Sequence, residues 1–182
     1  QLTAYSIEVV DDHKNEIEDA KLVAELLNIP LTYKPFTSSD FDRLHNKIIA
    51  AYDEPLADTS IIPTYFLSQL TSEHVKVALS GDGGDELFYG YNWYAQLKDK
   101  NLTFKEYVST MSNTLHEDSF HCLFPDISCQ RLEGIYVKKS NFENFSSNNF
   151  HVHDFHTFMV DDILTKVDIA GMANSLEIRV PF

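Results

Sequence analysis

Residues 75–86 constrain the fold of this chain more than any other stretch. Residues 75–80, VKVALS, are almost entirely apolar in their core, the pattern of a strand buried on both faces of a parallel sheet. The strand runs directly into Gly81-Asp82-Gly83-Gly84, and residues 85–97 follow with the amphipathic pattern of a helix. Three of the six glycines in the chain fall in this turn. Glycine admits positive φ and lets another group approach the backbone closely. Strand and helix patterns alternate before this point, so the class expected is α/β, a parallel sheet flanked by helices with right-handed crossovers.

The upstream pattern supports that class. Residues 5–10 read as a strand, and Asn15 with Glu18 resembles a capping box. Ile17, Ala20, Ala24 and Leu27 then recur at helical spacing, with Ile29-Pro30 as the stop. Residues 31–34 read as a short strand. A second helix is expected from Ser39 or Asp40 through Phe41, Leu44, Ile48 and Ala51. A third starts near Thr59 or Ser60, because Pro63 fits only a first turn, and runs to about Thr71. After residue 100 the strand pattern disappears. Thr103 and Glu106 suggest another capping box, residues 141–150 a polar loop, and Phe155, Phe158, Met159, Ile163, Val167 and Ala170 a last helical region. The expectation is one domain over 1–182, α/β over 1–100 and mainly helical over 101–182.

The turn itself carries chemistry. Several N–H groups pointing into one concavity, with a helix behind them, form an anion nest. It lies at the carboxyl end of a presumed parallel strand, where open α/β sheets bind ligands. Asp82, Asp85 and Glu86 would repel a bare phosphate. A Mg²⁺ ion held by hard oxygen ligands and bridging to phosphates resolves that conflict, so magnesium with an anionic polyphosphate is the ligand class expected. A Walker A loop is absent, a Rossmann fingerprint fails at Glu86, and an EF-hand loop fails at Leu87. The plainer reading is a tight turn whose acids cap a helix.

The charge balance sets limits on partners. Fourteen basic against 28 acidic side chains give −14, which opposes binding to nucleic acid or to an anionic membrane surface. No apolar run is long enough for a membrane span. At 43% hydrophobic and 13% aromatic residues, the chain is nonetheless too apolar to be disordered. Cys122 and Cys129 read as reduced thiols, and residues 1–20 lack a signal-peptide pattern, so a cytoplasmic location is expected. His151, His153 and His156 match no zinc spacing and read as surface or helix-start residues. Asp161 and Asp162 could cap a helix or pair with Lys166.

LSGDGGDELFYGY (79–91) resembles the SG(D/E)G(G/S)DELFGGY signature of the asparagine synthetase family. DEPLADTSIIPTY (53–65) and DDILTKVDIAGMANSLEIRVPF (161–182) are similar to two further family segments in the same order, and YSIEVV to its FSIGF strand. The resemblance implies an ATP-pyrophosphatase-type fold and a reaction in which Mg-ATP adenylates a carboxylate before ammonia attacks. It implies aspartate as the carboxylate, with ammonia from glutamine supplied by a glutaminase domain in the same parent chain. Carried over by position, Ile7, Ser80 and Gly81 would contact ATP, Asp85 would bind magnesium, and Asp82 and Lys166 would be catalytic. Asp82 would act near the attacking ammonia and Lys166 on the departing pyrophosphate.

The departures from the pattern are specific. The SGGxDS loop and the glutaminase domain would both lie before Gln1, so these 182 residues alone are expected neither to turn over ATP nor to hydrolyse glutamine. Ile169 stands where many members carry Arg or Lys, Tyr89 and Glu8 where Gly is usual, and Trp93 where Arg is frequent. Two alternatives follow: a related amidotransferase acting on another carboxylate, such as a sugar uronic acid, or a non-catalytic homologue.

Overall fold

The computed structural model describes residues 2–10, 16–56, 58–97, 100, 102, 106, 107 and 150–181. The positions suggested for caps at Asn15 and Thr103, Cys122 and Cys129, and all of the polar loop expected at 141–150 except Phe150, which begins a helix, lie outside the described residues. The chain divides into two compact units, Gln1–Asp82 with Asp161–Phe182, and Gly83–Val160.

The first unit alternates strand and helix as its patterning predicts: β1 (Ala4–Val9), α1 (Glu16–Leu26), β2 (Leu31–Phe36), α2 (Ser38–Ala51), α3 (Ile61–Ser72) and β3 (Val77–Leu79). β1 and β2 pair in parallel from Ala4↔Leu31 to Val9↔Phe36. Pro35, opposite Glu8, lacks an N–H to donate, which is tolerated because β2 pairs with β1 alone among the described residues. α1 opens with Glu16, Glu18 and Asp19, the charge sign that suits a helix N-terminus. It stops two residues before the expected Ile29-Pro30 signal. Asn28 takes φ 51°, a left-handed ending that asparagine tolerates, and the Ile29 N–H donates back to the Ala24 carbonyl.

α2 begins one turn position earlier than Ser39 because Thr37 is its cap. The Thr37 N–H and hydroxyl both donate to Asp40 Oδ2, at 3.1 and 2.8 Å. The hydroxyl's bond, with help from Arg43 and the Thr37 N–H, holds the Asp40 carboxyl below its usual range against the opposing desolvation. The helix then buries Leu44 and Ile48. They form the core of the unit with Tyr65, Phe66 and Ala170, and Ile7, Phe36 and Tyr52 pack against it. Each fully buried Leu or Phe side chain of this kind contributes about 1.5–3 kcal/mol.

Two expectations for this unit need correction. The strand expected at 75–80 covers only Val77–Leu79, and it is not buried on both faces: Val77 is 44% and Leu79 71% exposed. The strand pattern, expected to disappear after residue 100, also returns once in the mainly helical C-terminal part. After a π-helical stretch, Met159–Leu164, and α7, Thr165–Ala173, the chain forms β4, Glu177–Arg179. β4 pairs in parallel with β3 from Val77↔Glu177 to Leu79↔Arg179. A three-residue strand flanked by charge shows no usable period, and its partner lies far back in the sequence.

Gly171 makes the α7–β4 corner possible. A Cβ there would lie 2.8 Å from the Leu176 carbonyl oxygen and 3.0 Å from Ile178 Cδ1. Gly171→Ala is therefore expected to destabilise the protein by about 1–3 kcal/mol, overriding the helix propensity it gains. A urea midpoint equal to or above that of the wild type would contradict this.

The second unit is built around aromatic side chains. The single helix expected over 85–97 is two short ones, α4 (Gly84–Phe88) and α5 (Asn92–Leu97). The break is at Tyr89, φ 60°, followed by Gly90. Tyr94, Leu97 and Tyr107 are buried together, with Tyr91 and Trp93 against them. α6, Phe150–His156, supplies Asp154, which accepts 2.6 Å hydrogen bonds from both Tyr94 and Tyr107. No described helix is long and apolar enough to cross a membrane.

Candidate functional site

β3 ends where its ladder ends. The Ser80 N–H donates to the Arg179 carbonyl at 2.9 Å, after which Gly81 and Asp82 leave the sheet. A cleft of about 680 Å³ opens here within the first unit, lined by Leu2–Tyr5 of the β1 region, Thr64 and Ser68 of α3, and Ser80, Gly81 and Asp82. Its apolar lining includes Val77, Val167, Leu176 and Ile178, and its polar lining includes Thr3, Thr71, Ser80 and Asp82. The Ser80 hydroxyl oxygen is buried and has no hydrogen-bond partner among the described residues. A buried hydroxyl without a partner is disfavoured unless a ligand completes it. A Cβ on Gly81 would meet nothing within 4 Å, so the chain's own packing does not require glycine there. Close approach by a ligand is a reason for glycine that this geometry accommodates.

The turn differs from the nest pictured from sequence. Only Gly83 has positive φ, 88°, and the helix it opens, α4, is five residues long, so little dipole stands behind the loop. Glu86 is 1% exposed and accepts a 2.6 Å bond from the Tyr91 hydroxyl, which makes it a packing residue. Burial and then this bond push the Tyr91 phenol well above its ordinary range. Asp85 is exposed and lies close to Gly90, whose Cβ would fall 1.8 Å from Asp85 Oδ1. Gly90 is therefore what gives the Asp85 carboxylate its room. Among the described residues no group of three His, Cys, Asp or Glu side chains could hold a metal ion. A magnesium ion that arrives with phosphates needs only one or two carboxylates, and an exposed oxygen donor such as Asp85 suits it chemically.

The remaining residues expected in the site are placed elsewhere in the fold. Ile7 is partly buried against the Leu44 core and does not line the cleft. Lys166 does not line it either. It is not a surface lysine: it is 6% exposed, and its Nζ donates to Asp58 Oδ2 at 2.6 Å and to Ser60 Oγ at 2.7 Å. The pairing with Asp161 or Asp162 considered from sequence goes instead to Asp58. Burial alone would push the Asp58 carboxyl up, but the bonds from Lys166 and Ser60 outweigh it and hold the carboxyl below its usual range. Asp162 is held up, first by burial and then by the charge of Asp58. The Tyr52 hydroxyl donates to the Lys166 carbonyl at 2.9 Å, and burial followed by the Asp58 charge pushes its phenol up to about 12. Sequence reasoning gave Asp58 and Tyr52 no role and took Ser60 only as a possible start of α3. The only functional signal for Asp58 and Ser60 was their place in the segment at 53–65.

The departures acquire a physical content. Tyr89, in a position where the family's signature has glycine, sits in the left-handed region that glycine prefers, stacks edge-on to Tyr94 and hydrogen-bonds His151. Trp93 stacks on Tyr91 at 4.0 Å and 12°. His153, expected at the surface or at a helix start, lies early in α6 and is 7% exposed, and burial lowers its imidazole below the ordinary value.

The asparagine synthase family profile matches residues 1–182. The chain is similar to glutamine-hydrolyzing asparagine synthetase 1 of Bacillus subtilis, 31% identical over all of this chain and 34% of that protein. It is also similar to a putative glutamine-hydrolyzing asparagine synthetase of Mycobacterium tuberculosis, 27% identical over 92% of this chain and 31% of that protein. A putative glutamine-hydrolyzing asparagine synthetase 2 of Methanocaldococcus jannaschii is 42% identical over 39% of this chain and 14% of its own. The chain thus spans about a third of the length of the first two of these relatives. With the profile matched from end to end, the chain belongs to the asparagine synthase family.

Proposed function

We propose that the protein carrying this chain is an ATP-dependent amide ligase that activates aspartate by adenylation and transfers the acyl group to ammonia derived from glutamine. In a chain of this family, the observation that carries the reading is the buried, unpartnered Ser80 hydroxyl at the carboxyl end of β3, above a cleft. That hydroxyl donates to an oxygen of the nucleotide, and Gly81 lets it approach. The apolar side chains of Val77, Val167 and Ile178 that line the cleft take a flat ring better than they take a charge. The ATP–magnesium complex supplies the electrophilic phosphorus and a pyrophosphate leaving group. By the family resemblance, Asp85 would offer a carboxylate oxygen to the metal, Asp82 would accept a proton from attacking ammonia, and Lys166 would stabilise charge on the departing oxygens.

The test uses the full-length protein with ATP, magnesium, glutamine or ammonia, and a panel of aspartate, glutamate and a hexuronic acid. Asparagine, AMP and pyrophosphate are expected in equal amounts. An amide of another acid would replace the substrate assignment, and no amide from any acid would make the protein a non-catalytic homologue.

A further inference from the structure

The two short ladders of the first unit, β1–β2 and β3–β4, stand on either side of the cleft described above. Residues 2–5 and 77–82 line it as consecutive runs. A strand turns alternate side chains to one face, so unbroken runs mean that β1 and β3 each bring an edge to the cleft. The backbone bonds say which groups lie on those edges. The Ala4 N–H donates to the Pro30 carbonyl at 2.8 Å and the Val10 N–H to the Phe36 carbonyl at 3.1 Å, both on the β2 side. Successive N–H groups alternate between the two edges of a strand, so those of Tyr5, Ile7 and Val9 are directed away from β2. The Ser80 N–H donates to the Arg179 carbonyl of β4, so those of Val77 and Leu79 are directed away from β4. Edges of this kind are templates for a further strand.

The two faces of the ladders are unequal as well. Ile178 lies against α7, its Cδ1 3.0 Å from where a Gly171 Cβ would sit, and α7 joins α3 in the core through Ala170, Tyr65 and Phe66. Alternation puts Val77 and Leu79 on the opposite face, where they are 44% and 71% exposed. With the gap between β1 and β3, right-handed crossovers put α2 and α3 on one face and α1 on the other, the face of Val77 and Leu79. There α1 carries Leu22, Val23, Leu26 and Leu27 along one flank, each more than half exposed. An open gap and an uncovered apolar flank on the adjoining face are both accounted for by one strand followed by one helix.

We propose that the gap between β1 and β3 is the seat of a strand–helix unit supplied by the parent polypeptide ahead of residue 1. Its strand pairs with Tyr5, Ile7 and Val9 on one side and with Val77 and Leu79 on the other, joining the two ladders into one parallel sheet. Its helix returns to β1 by a right-handed crossover and lies beside α1, over Leu22 and Leu26 and over Leu79. Strands adjacent in sequence tend to be neighbours in a sheet, which favours a segment before β1 over one after β4. This chain spans about a third of the relatives above, which leaves ample length for such a unit. The nucleotide then meets the end of the gap at Ser80, Gly81 and Asp82, past the β3 ladder, and not its length. The unit is called for by backbone and apolar surface whatever the reaction, so its test reads structure alone.

The test is amide hydrogen exchange with nuclear Overhauser contacts in the full-length protein. The Ser6 and Glu8 N–H groups, directed at β2, set the reference. The amides of Tyr5, Ile7 and Leu79 should exchange within about tenfold of that reference. Their protection should hold over about a hundredfold range of protein concentration, and their contacts should lead to a strand from before residue 1. Exchange more than about a hundredfold faster than the reference would leave the edges open and overturn the proposal. Protection that fades on dilution would put a second copy in the gap, and contacts to a segment after residue 182 would put another part of the parent there; either result overturns it. Leu26→Lys in the full-length protein reads the helix. The melting temperature should fall by about 3 °C or more, and a change within about 1 °C would leave α1 uncovered and overturn that half of the unit.

Discussion

Lys166→Met in the full-length protein is expected to reduce carboxylate-dependent ATP–pyrophosphate exchange by about 10²–10³-fold, the usual effect of removing one oriented donor from developing negative charge. Methionine keeps most of the volume and none of the donors. Two losses are superimposed and can be separated. The first is catalytic and appears in kcat. The second is structural, because the change strands Asp58, whose side chain is 20% exposed and so partly rehydrates. Loss of a buried partner amounts to about 3–5 kcal/mol in fully enclosed pairs, and the exposure of Asp58 places this case below that range. The structural loss has a pH signature. The folded-state value of Asp58 is depressed, so its stabilising contribution is present above the unfolded value, about 3.9, and disappears as pH falls through the lower folded value. In Lys166→Met that acid-side dependence should shrink. Exchange within a factor of three of wild type would show that Lys166 has no part in the chemistry.

The largest stability effect is expected in the other unit. Asp154 is 3% exposed and accepts from Tyr94 and Tyr107, themselves 2% and 1% exposed. Hydrogen bonds to a charged acceptor are worth about 1.5–3 kcal/mol each, so Asp154→Ala is expected to destabilise by about 3–6 kcal/mol. Tyr94→Phe combined with Tyr107→Phe and Asp154→Leu should recover part of that loss, since an apolar cluster leaves nothing unpaired. Alkaline pH provides a second check. Burial first, with Asp154 next, raises both phenols above their ordinary value near 10. Their contribution is therefore complete below pH of about 10 and is lost as pH rises further, because the unfolded chain releases those protons first. A urea series on Asp154→Ala showing less than about 1 kcal/mol of loss would contradict the network.

Local patterning made part of this structure legible. Leu44 and Ile48 at helical spacing placed α2, and Pro63 placed the first turn of α3. Met159, Ile163, Val167 and Ala170 marked buried positions through the π-helical stretch and α7. What escaped depends on non-local contacts. β4 is recognisable only beside β3. The break between α4 and α5 rests on a left-handed Tyr89, a conformation that no propensity assigns to tyrosine. In the site, Ser80, Gly81 and Asp82 were readable because one turn carries all three and the cleft takes them together. Lys166 was named from its segment, but its ion pair joins residues 108 apart, and spacing cannot show such a partner. Glu86 was misread for a related reason: its charge suggested a metal, whereas burial and Tyr91 give it a packing role.

The claim on which the functional reading depends is that a carboxylate oxygen attacks the α-phosphorus of ATP. Aspartate labelled with ¹⁸O in its side-chain carboxylate, incubated with the full-length protein, ATP, magnesium and ammonia, tests it directly. Adenylation followed by amide formation leaves one labelled oxygen in AMP, and mass spectrometry should find AMP carrying a single ¹⁸O in step with asparagine formed. Label in inorganic phosphate with ADP as the nucleotide product, or AMP free of label, would contradict it.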